Sequence, residues 1–412
     1  MRINRLADRG SVHMIEENRS SVIVASVTVA HIPVILYVFD NTHRGGAFGC
    51  LEGESVLRAI RIAEAAKVPL VGLCASAGAN LLEGQLSLVA AGKVFQACHN
   101  LDVPHLFLSY GPCIGAVAYL SKQADFVLAL REQSFFCLTG PKIVKSAIFC
   151  DETLEEIGGA QKTAEQGGLH MLSDEEEEME ENCRKLLRYL KRSKSTVFYS
   201  ERDEVISSGE NSTMEALISN LLDDDTTLWM WSEWAKNAFA VFGYLGGRRV
   251  GIFANNPEYA GGVIDRDAAL KAAKFYKLCS RLSIPVLSLA DTPGFLPGAE
   301  SERSGVLDAG AEMIESYLSH RSGKMTVAAG RVLGGAYMAM GCKEMGARAY
   351  AAFPQATIGV MGASIASEIL RGEDMSHYEK NCLSVQAALK TGCVDRIVDP
   401  SELKAYIMGV IR

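Results

Sequence analysis

Ala260-Gly261-Gly262, a helical run to Leu282, Pro285-Val286-Leu287-Ser288-Leu289 and then Thr292-Pro293-Gly294 form the stretch that decides the fold, because it occurs twice. The earlier copy reads Arg44-Gly45-Gly46, a helical run to Lys67, Pro69-Leu70-Val71-Gly72-Leu73 and Ser76-Ala77-Gly78. Gly46 and Gly262, Pro69 and Pro285, and Gly78 and Gly294 share one spacing, 216 residues, so the register holds without a gap. A fourth landmark follows in the same order. Gly111-Pro112-Cys113-Ile114-Gly115-Ala116 aligns with Val332-Leu333-Gly334-Gly335-Ala336, and pairing Gly115 with Gly335 gives a spacing of 220. Such self-similarity marks a duplicated unit. Two unrelated βαβ units could share turn chemistry, but they would not keep three landmarks in one register.

Each copy reads as a helix packed on a strand with a glycine turn on either side. The run Glu54–Lys67 places Val56, Ile60 and Ala63 three to four residues apart, and the strand Leu70–Leu73 follows. Its partner, Asp267–Leu282, carries Leu270, Ala273 and Leu278 before the strand Val286–Leu289. Upstream, the β-branched runs Val22–Val29 and Val34–Phe39, separated by His31-Ile32-Pro33, predict two successive buried strands. Alternating short strands and helices predict an α/β fold with a mixed sheet covered by helices. Between the copies, Ser173-Asp174 followed by four glutamates opens a segment that ends in Arg188-Tyr189-Leu190-Lys191-Arg192. Acids first and bases last suit a helix macrodipole, with Ser173 or Asp174 as N-cap and the acid run as a solvated helix end. The polar stretch from Ser193 to Asp225 then predicts a linker. The expected organisation is an N-terminal domain over residues 1–195, a linker over 196–225 and a C-terminal domain over 226–412.

Composition narrows the function. The 412 residues are 48% hydrophobic and 22% charged, enough to bury two cores and unlike a disordered chain. A net charge of −8 offers no basic field for nucleic acid. The eleven cysteines include no C-x-x-C pair, which removes zinc ribbons and dithiol redox sites and points to a reduced, cytoplasmic setting. Val22 to Phe39, the most apolar stretch, is interrupted by Ser26, Thr28, His31 and Pro33, so no spanning helix is expected. Met1-Arg2-Ile3-Asn4-Arg5 does not lead into a signal-peptide core.

Four glycine-bearing turns carry the candidate chemistry: Gly45-Gly46-Ala47, Ser76-Ala77-Gly78-Ala79, Gly115-Ala116 and Gly334-Gly335-Ala336. Small residues where a strand meets a helix let a ligand oxygen reach free backbone N–H groups, as in an oxyanion hole. Close helix–strand packing would demand the same small residues, and spacing alone leaves both readings open. Other chemistries have weaker support. Ser76 is not in a G-x-S-x-G elbow, His43 and His170 have no evident carboxylate partner, and no Walker loop occurs. A site of backbone donors suits thioester enolate chemistry.

These residues resemble the carboxyltransferase component of biotin-dependent acyl-CoA carboxylases and decarboxylases. The resemblance rests on Asp291-Thr292-Pro293-Gly294-Phe295-Leu296-Pro297-Gly298, Gly334-Gly335-Ala336-Tyr337 and Val360-Met361-Gly362-Ala363 in the second half. In the first half it rests on Ser76 through Gly84, Gly111-Pro112-Cys113, Thr139-Gly140-Pro141 and Glu156-Ile157-Gly158-Gly159-Ala160, with Arg5 to Ser11 at the start. It implies two tandem crotonase-like domains related by internal duplication, the N-terminal domain of one protomer facing the C-terminal domain of another in a dimer to hexamer. It also implies that Gly115 and Ala116 hold the acyl-CoA thioester carbonyl as its enolate forms, with Gly45, Gly46, Ala47, Ser76, Ala77, Gly78, Ala79, Gly140 and Lys142 around the acyl-CoA. Gly335 and Ala336 would polarise the ureido carbonyl of carboxybiotin, with Thr292, Pro293, Gly294, Phe295, Met361 and Gly362 on the biotin side. The released biotin nitrogen would be the base, and no metal is expected. The implied partners are a biotin carboxyl carrier protein and either a biotin carboxylase or a membrane decarboxylase subunit.

The chain departs from the family pattern where Asn80, Asp308 and Glu312 stand in place of cations, where Leu333 replaces a tyrosine, and where Ser301-Glu302 follows the Pro-Gly. By the resemblance, the family's extended opening helix is expected to be missing before Arg2 and the first strands to be short. Two further readings follow: a catalytically degenerate scaffold subunit, motivated by Asp308 and Glu312, and a biotin-independent hydratase or decarboxylase, which lacks a visible glutamate pair.

Overall fold

Val22–Val29 and Ile32–Phe39 form a hairpin closed by Ala30 and His31, whose φ angles are 50° and 60°. Two left-handed residues match the twist of the flanking strands, so the second strand begins at Ile32 and takes in Pro33, earlier than the sequence suggested. The structure is a computed structural model that describes residues 2–16, 20–191, 213–371 and 375–411. The chain divides into two compact units, residues 1–192 and 193–412.

Each unit is built on a mixed sheet of eight described strands. The first runs His13–Glu16, Val22–Val29, Ile32–Phe39, Leu70–Ser76, His105–Ile114, Phe126–Leu130 and Met171–Ser173, with Phe135–Cys137 paired to His105–Ile114. The second runs Leu228–Met230, Ala238–Leu245, Arg248–Asn255, Val286–Thr292, Lys324–Leu333, Ala349–Ala352 and Arg396–Ile397, with Thr357–Gly359 paired to Lys324–Leu333. Both start as antiparallel hairpins and continue parallel, the order that helical crossovers enforce. The repeat persists in detail: the isolated parallel bridge Phe48↔Ala79 recurs as Ile264↔Phe295, again 216 residues on.

The helices read from the sequence are Cys50–Ala66 and Arg266–Arg281, and each lays an apolar face on its own sheet. Val56, Ile60 and Ala63 lie in the first core, and Ala273 and Leu278 are buried in the second unit. The opening strands are not short. At eight residues each they equal Ala238–Leu245 and Arg248–Asn255.

Two other expectations are corrected. Residues 196–212 of the expected linker lie outside the described residues, and the rest is not a linker. Met214–Leu221 is a helix whose Met214, Leu217, Ile218 and Leu221 enter the second core, with Thr213 Oγ1 capping the Ala216 N–H. Its four apolar residues at three- to four-residue spacing were masked by the polar text around them. The acidic helix is Glu176–Leu190, and its N-cap is Glu175 rather than Ser173 or Asp174. Its acid run is not wholly solvated either: Glu180 is buried beneath Arg5 Nε (3.3 Å) and beside Arg184 (3.9 Å). Burial lifts the Glu180 pKa above the usual carboxylate range despite those cations.

Candidate functional site

The turn Arg44–Gly46 is three left-handed residues in a row, φ 50°, 64° and 68°, and Ala260–Gly262 repeats it at 47°, 65° and 73°. Glycine is obligatory at the third position in both. A Cβ on Gly46 would lie 2.5 Å from the Ala75 carbonyl oxygen, and one on Gly262 would lie 2.5 Å from that of Asp291. In this first turn the packing explanation for small residues holds. Gly46 and Ala47 donate to His43 and Arg44, the Gly45 carbonyl accepts from Ala77 N–H (2.9 Å), and the Gly46 carbonyl accepts from buried Ser76 Oγ (2.6 Å).

The next two turns are different. In parallel bridging every second amide faces away from its partner. Phe48 donates to Gly78 and Asn80 donates to Phe48, so the Ala79 N–H has no acceptor among the described residues. Ala116 is the first residue of the helix Ala116–Ser121, where an amide has no intrahelical acceptor. The two loops touch: a Cβ on Gly78 would lie 3.6 Å from the Ile114 carbonyl oxygen, and one on Gly140 would lie 3.9 Å from the Ile114 side chain. The N-terminal unit thereby sets two uncommitted amides, Ala79 and Ala116, on adjoining loops at the strand ends.

The C-terminal unit repeats this with Phe295 and Gly335, and Ala336 adds a further amide. Gly294 lies against the Leu333 carbonyl (3.1 Å to its Cβ position), and the Phe295 ring lies against Gly335 (3.4 Å). Thr292 is buried and its Oγ1 accepts from Gly294 N–H (3.1 Å). Gly362 approaches the Leu333 side chain, and the Met361 carbonyl accepts from Tyr378 (2.8 Å). Pro293 stands exposed at the rim.

The geometry corrects the fourth landmark. Gly115, φ 58°, donates to the Cys137 carbonyl (2.9 Å), and Gly334, φ 59°, donates in the same way to Gly359 (2.9 Å). Gly115 is therefore the counterpart of Gly334, Ala116 that of Gly335, and the spacing is 219 rather than 220. Gly115 turns the chain and its own amide is committed, so the donor beside it is Ala116. The repeated glycine of Gly334-Gly335 hid the slip, since either one matches Gly115 by residue type.

The expected cation site reads differently in three dimensions. Asn80 accepts from Leu82 N–H (3.2 Å) and donates to Glu83 (2.9 Å), whose carboxylate caps Cys50 N–H (2.6 Å). The Cys50 amide holds the Glu83 pKa below the usual range. Lys142 is exposed in the first turn of Pro141–Ile148 with no acid paired to it among the described residues, whereas Lys145 pairs with Asp151 (2.8 Å). Asp308 and Glu312 lie on the helix Val306–Ser319, Asp308 exposed and Glu312 paired with Lys277 (2.7 Å). Sequence reading gave no role to Asp291, quoted within a glycine-bearing motif, to Arg331, which stands just before Val332, or to Lys271, on a helix read for its apolar face.

Comparison with known proteins agrees with this arrangement. The model of the carboxyl transferase domain family matches residues 9–411. The propionyl-CoA carboxylase beta chain of Saccharopolyspora erythraea is 30% identical, covering 100% of this chain and 86% of that one. The methylmalonyl-CoA carboxyltransferase 12S subunit of Propionibacterium freudenreichii subsp. shermanii is 30% identical over 95% of this chain and 80% of its own. A transcarboxylase 12S crystal structure, described as a hexamer assembly with hydrolysed methylmalonyl-coenzyme A bound, superposes with a TM-score of 0.93. It is 28% identical and covers 99% of this chain and 87% of that chain. The fold is two tandem crotonase-like units, and the chain belongs to the carboxyl transferase domain family.

Proposed function

We propose that the protein moves a carboxyl group between biotin on a carrier protein and a small acyl-CoA, with the two units dividing the substrates. The observation that carries this is the pair of uncommitted amides on adjoining loops, made once as Ala79 and Ala116 and again as Phe295 and Gly335. A thioester enolate needs donors fixed where negative charge develops, and each such donor is worth roughly 3–4 kcal/mol of barrier. On the N-terminal side, Ala79 and Ala116 N–H groups hold the thioester oxygen as the α-carbon loses its proton or carboxyl. The turn at Gly45 and Gly46 backs that loop, and the exposed Lys142 beside Gly140 is our candidate cation for a CoA phosphate.

The C-terminal loops suit a flat ureido group. Gly294 packs on the Leu333 carbonyl, the Phe295 ring packs on Gly335 as a wall, and the Gly335 and Ala336 amides supply donors for a carbonyl oxygen. When bound, carrier-borne biotin supplies the carboxyl donor or acceptor and the base. Thr292, Pro293, Met361 and Gly362 shape this pocket. We further propose a homo-oligomer in which the N-terminal unit of one copy meets the C-terminal unit of another, and a carrier protein with a biotin carboxylase or a membrane decarboxylase subunit as partners. A cytoplasmic location accords with eleven unpaired cysteines.

Proline substitution tests the assignment, because proline deletes one N–H and is tolerated at the first position of a helix. With biotinylated carrier and propionyl- and methylmalonyl-type CoA substrates, Ala116→Pro should slow transfer by about 10²–10³ while circular dichroism stays unchanged. Full activity in that variant would remove Ala116 from the oxyanion site.

A further inference from the structure

In both left-handed turns the middle carbonyl accepts a hydrogen bond, and the two units provide the donor by different means. In the N-terminal unit the Ala77 N–H donates to the Gly45 carbonyl at 2.9 Å. The residue 216 positions later is Pro293, which has no N–H. Left alone, the Gly261 carbonyl would lose its partner in a turn that holds Ala260 at φ 47°, a conformation unfavourable for a residue with a Cβ. Instead Arg331 Nη2 donates to Gly261 at 3.1 Å. The residue at the matching place in the first unit is Pro112, whose strand neighbour Phe135 corresponds to Thr357 beside Arg331. Proline and hydrogen-bond donor have thus exchanged places between the halves.

The arginine is itself held. Asp291 Oδ1 accepts from Arg331 N–H (3.1 Å) and lies 3.4 Å from Arg331 Nε, and the Asp291 N–H donates to buried Asn255 Oδ1 (3.2 Å). Gly330 has no side chain because the Asp291 carboxylate occupies that space, 2.4 Å from its Cβ position. The first unit has Ala75 where the second has Asp291, and Phe39 where it has Asn255. The network therefore belongs to the C-terminal unit only.

We propose that Arg331, set by Asp291, is a positioning residue that replaces the missing Pro293 N–H and fixes the Gly261 turn behind the biotin-side loop. The part about biotin rests on the function proposed above; the part about the turn does not. Hydrogen exchange on the full-length protein reads the turn directly. In Arg331→Gln, a peptide spanning residues 256–265 should exchange about tenfold faster, while one spanning 40–49 should not change; tenfold is the scale of one hydrogen bond to a charged group. Restoring the backbone donor with Pro293→Ala in the Arg331→Gln background should return exchange to within about threefold of the original protein. In the transfer assay, Arg331→Gln should raise KM for the biotinylated carrier about tenfold and leave KM for acyl-CoA unchanged, with Arg331→Lys retaining part of the affinity. Unchanged exchange in Arg331→Gln, or no rescue by Pro293→Ala, overturns the proposal. A protein that transfers no carboxyl at all but shows both exchange effects would refute the proposed function and leave the tie standing. An equal rise in both KM values would overturn the biotin-side role alone.

Discussion

In the N-terminal unit the Gly45 turn is tied by the strand beside it, through the Ala77 amide and the Ser76 hydroxyl; in the C-terminal unit the same turn is tied by Arg331 from the following strand. The helices after the turns diverge in the same spirit. Buried Glu52 accepts from the Ser21 and Gly49 amides, while the second unit has Ala268 at that place and uses buried Lys271 one turn later. Lys271 Nζ donates to the carbonyls of Trp231 (3.1 Å), Trp234 (2.9 Å), Ala235 (3.4 Å) and Ala238 (2.7 Å). Its counterpart in the first unit is Ser55. Duplication has kept the backbone geometry and exchanged the side chains that enforce it. Amides at a turn depend on φ and ψ, not on residue identity, so each half is free to find its own support.

The sharpest way to break the comparison is at the positions that have no alternative support. Gly46→Ala and Gly262→Ala each place a Cβ 2.5 Å from a backbone oxygen at positive φ. Both should cost more than about 3 kcal/mol, strain and clash together. Differential scanning calorimetry should show a drop of roughly 6–12 °C in the unit concerned. Equal losses in the two variants would mean that the turns are equivalent in energy as well as shape. A small loss in one would show that its turn can shift.

Lys271 separates the halves next. Lys271→Met removes the side-chain donor shared by four carbonyls, of which those of Trp231 and Ala235 keep the Trp234 and Ala238 amides, in a loop where Trp231 and Ala235 already have positive φ; it should destabilise the C-terminal unit by about 2–3 kcal/mol. Ser55→Ala, its counterpart, should cost less than about 1 kcal/mol. Urea titration of the two variants measures the contrast.

The same lysine predicts a pH dependence confined to one half. Burial pushes the Lys271 pKa down to about 7, against 10.5 for a free side chain. Between those values the unfolded chain binds a proton that the folded chain does not, so folding stability rises with pH. The penalty is present in full below pH 7 and is relieved toward pH 10.5. The slope from this one group is at most about 1.4 kcal/mol per pH unit, and that contribution should be lost in Lys271→Met, leaving the smaller ones of Lys274 and Lys324, whose pKa values burial also lowers. A wild-type protein equally stable at pH 7 and pH 9 would mean that the four carbonyls keep the ammonium charged.

Much of this architecture was legible in the sequence because the repeat is carried by glycine and proline, whose backbone demands survive divergence. Gly46 and Gly262 kept their register since no other residue fits. The slip at Gly115 arose where that logic is ambiguous: Gly334 and Gly335 are both glycine, and only the Cys137 and Gly359 hydrogen bonds separate the one that turns the chain from the one that donates. Arg331 and Lys271 could not be read because the groups they tie in place are carbonyls, which every residue has. The helix Met214–Leu221 was lost for a related reason, its four apolar residues being set in a polar stretch read as a linker.

The smallest effect tests whether charge reversal on the outer helix matters to the comparison. Lys277 and Glu312 meet at 2.7 Å with their side chains 60% and 43% exposed, so solvent screens the pair. Glu312→Gln should change stability by less than about 1 kcal/mol, and less again in high salt. Asp308 lies in the first turn of its helix, where a negative charge is favourable by roughly 0.3–1 kcal/mol, so Asp308→Lys should cost no more than about 1–2 kcal/mol on reversal. Neither residue touches the Gly261 turn, the Phe295 loop or the Gly335 amide in any described contact. Transfer rates in Asp308→Lys and Glu312→Lys should therefore stay within about threefold of the original protein. A large gain in either would mean that the lost cations had been part of the site, and that the second half has diverged in function and not only in its means of support.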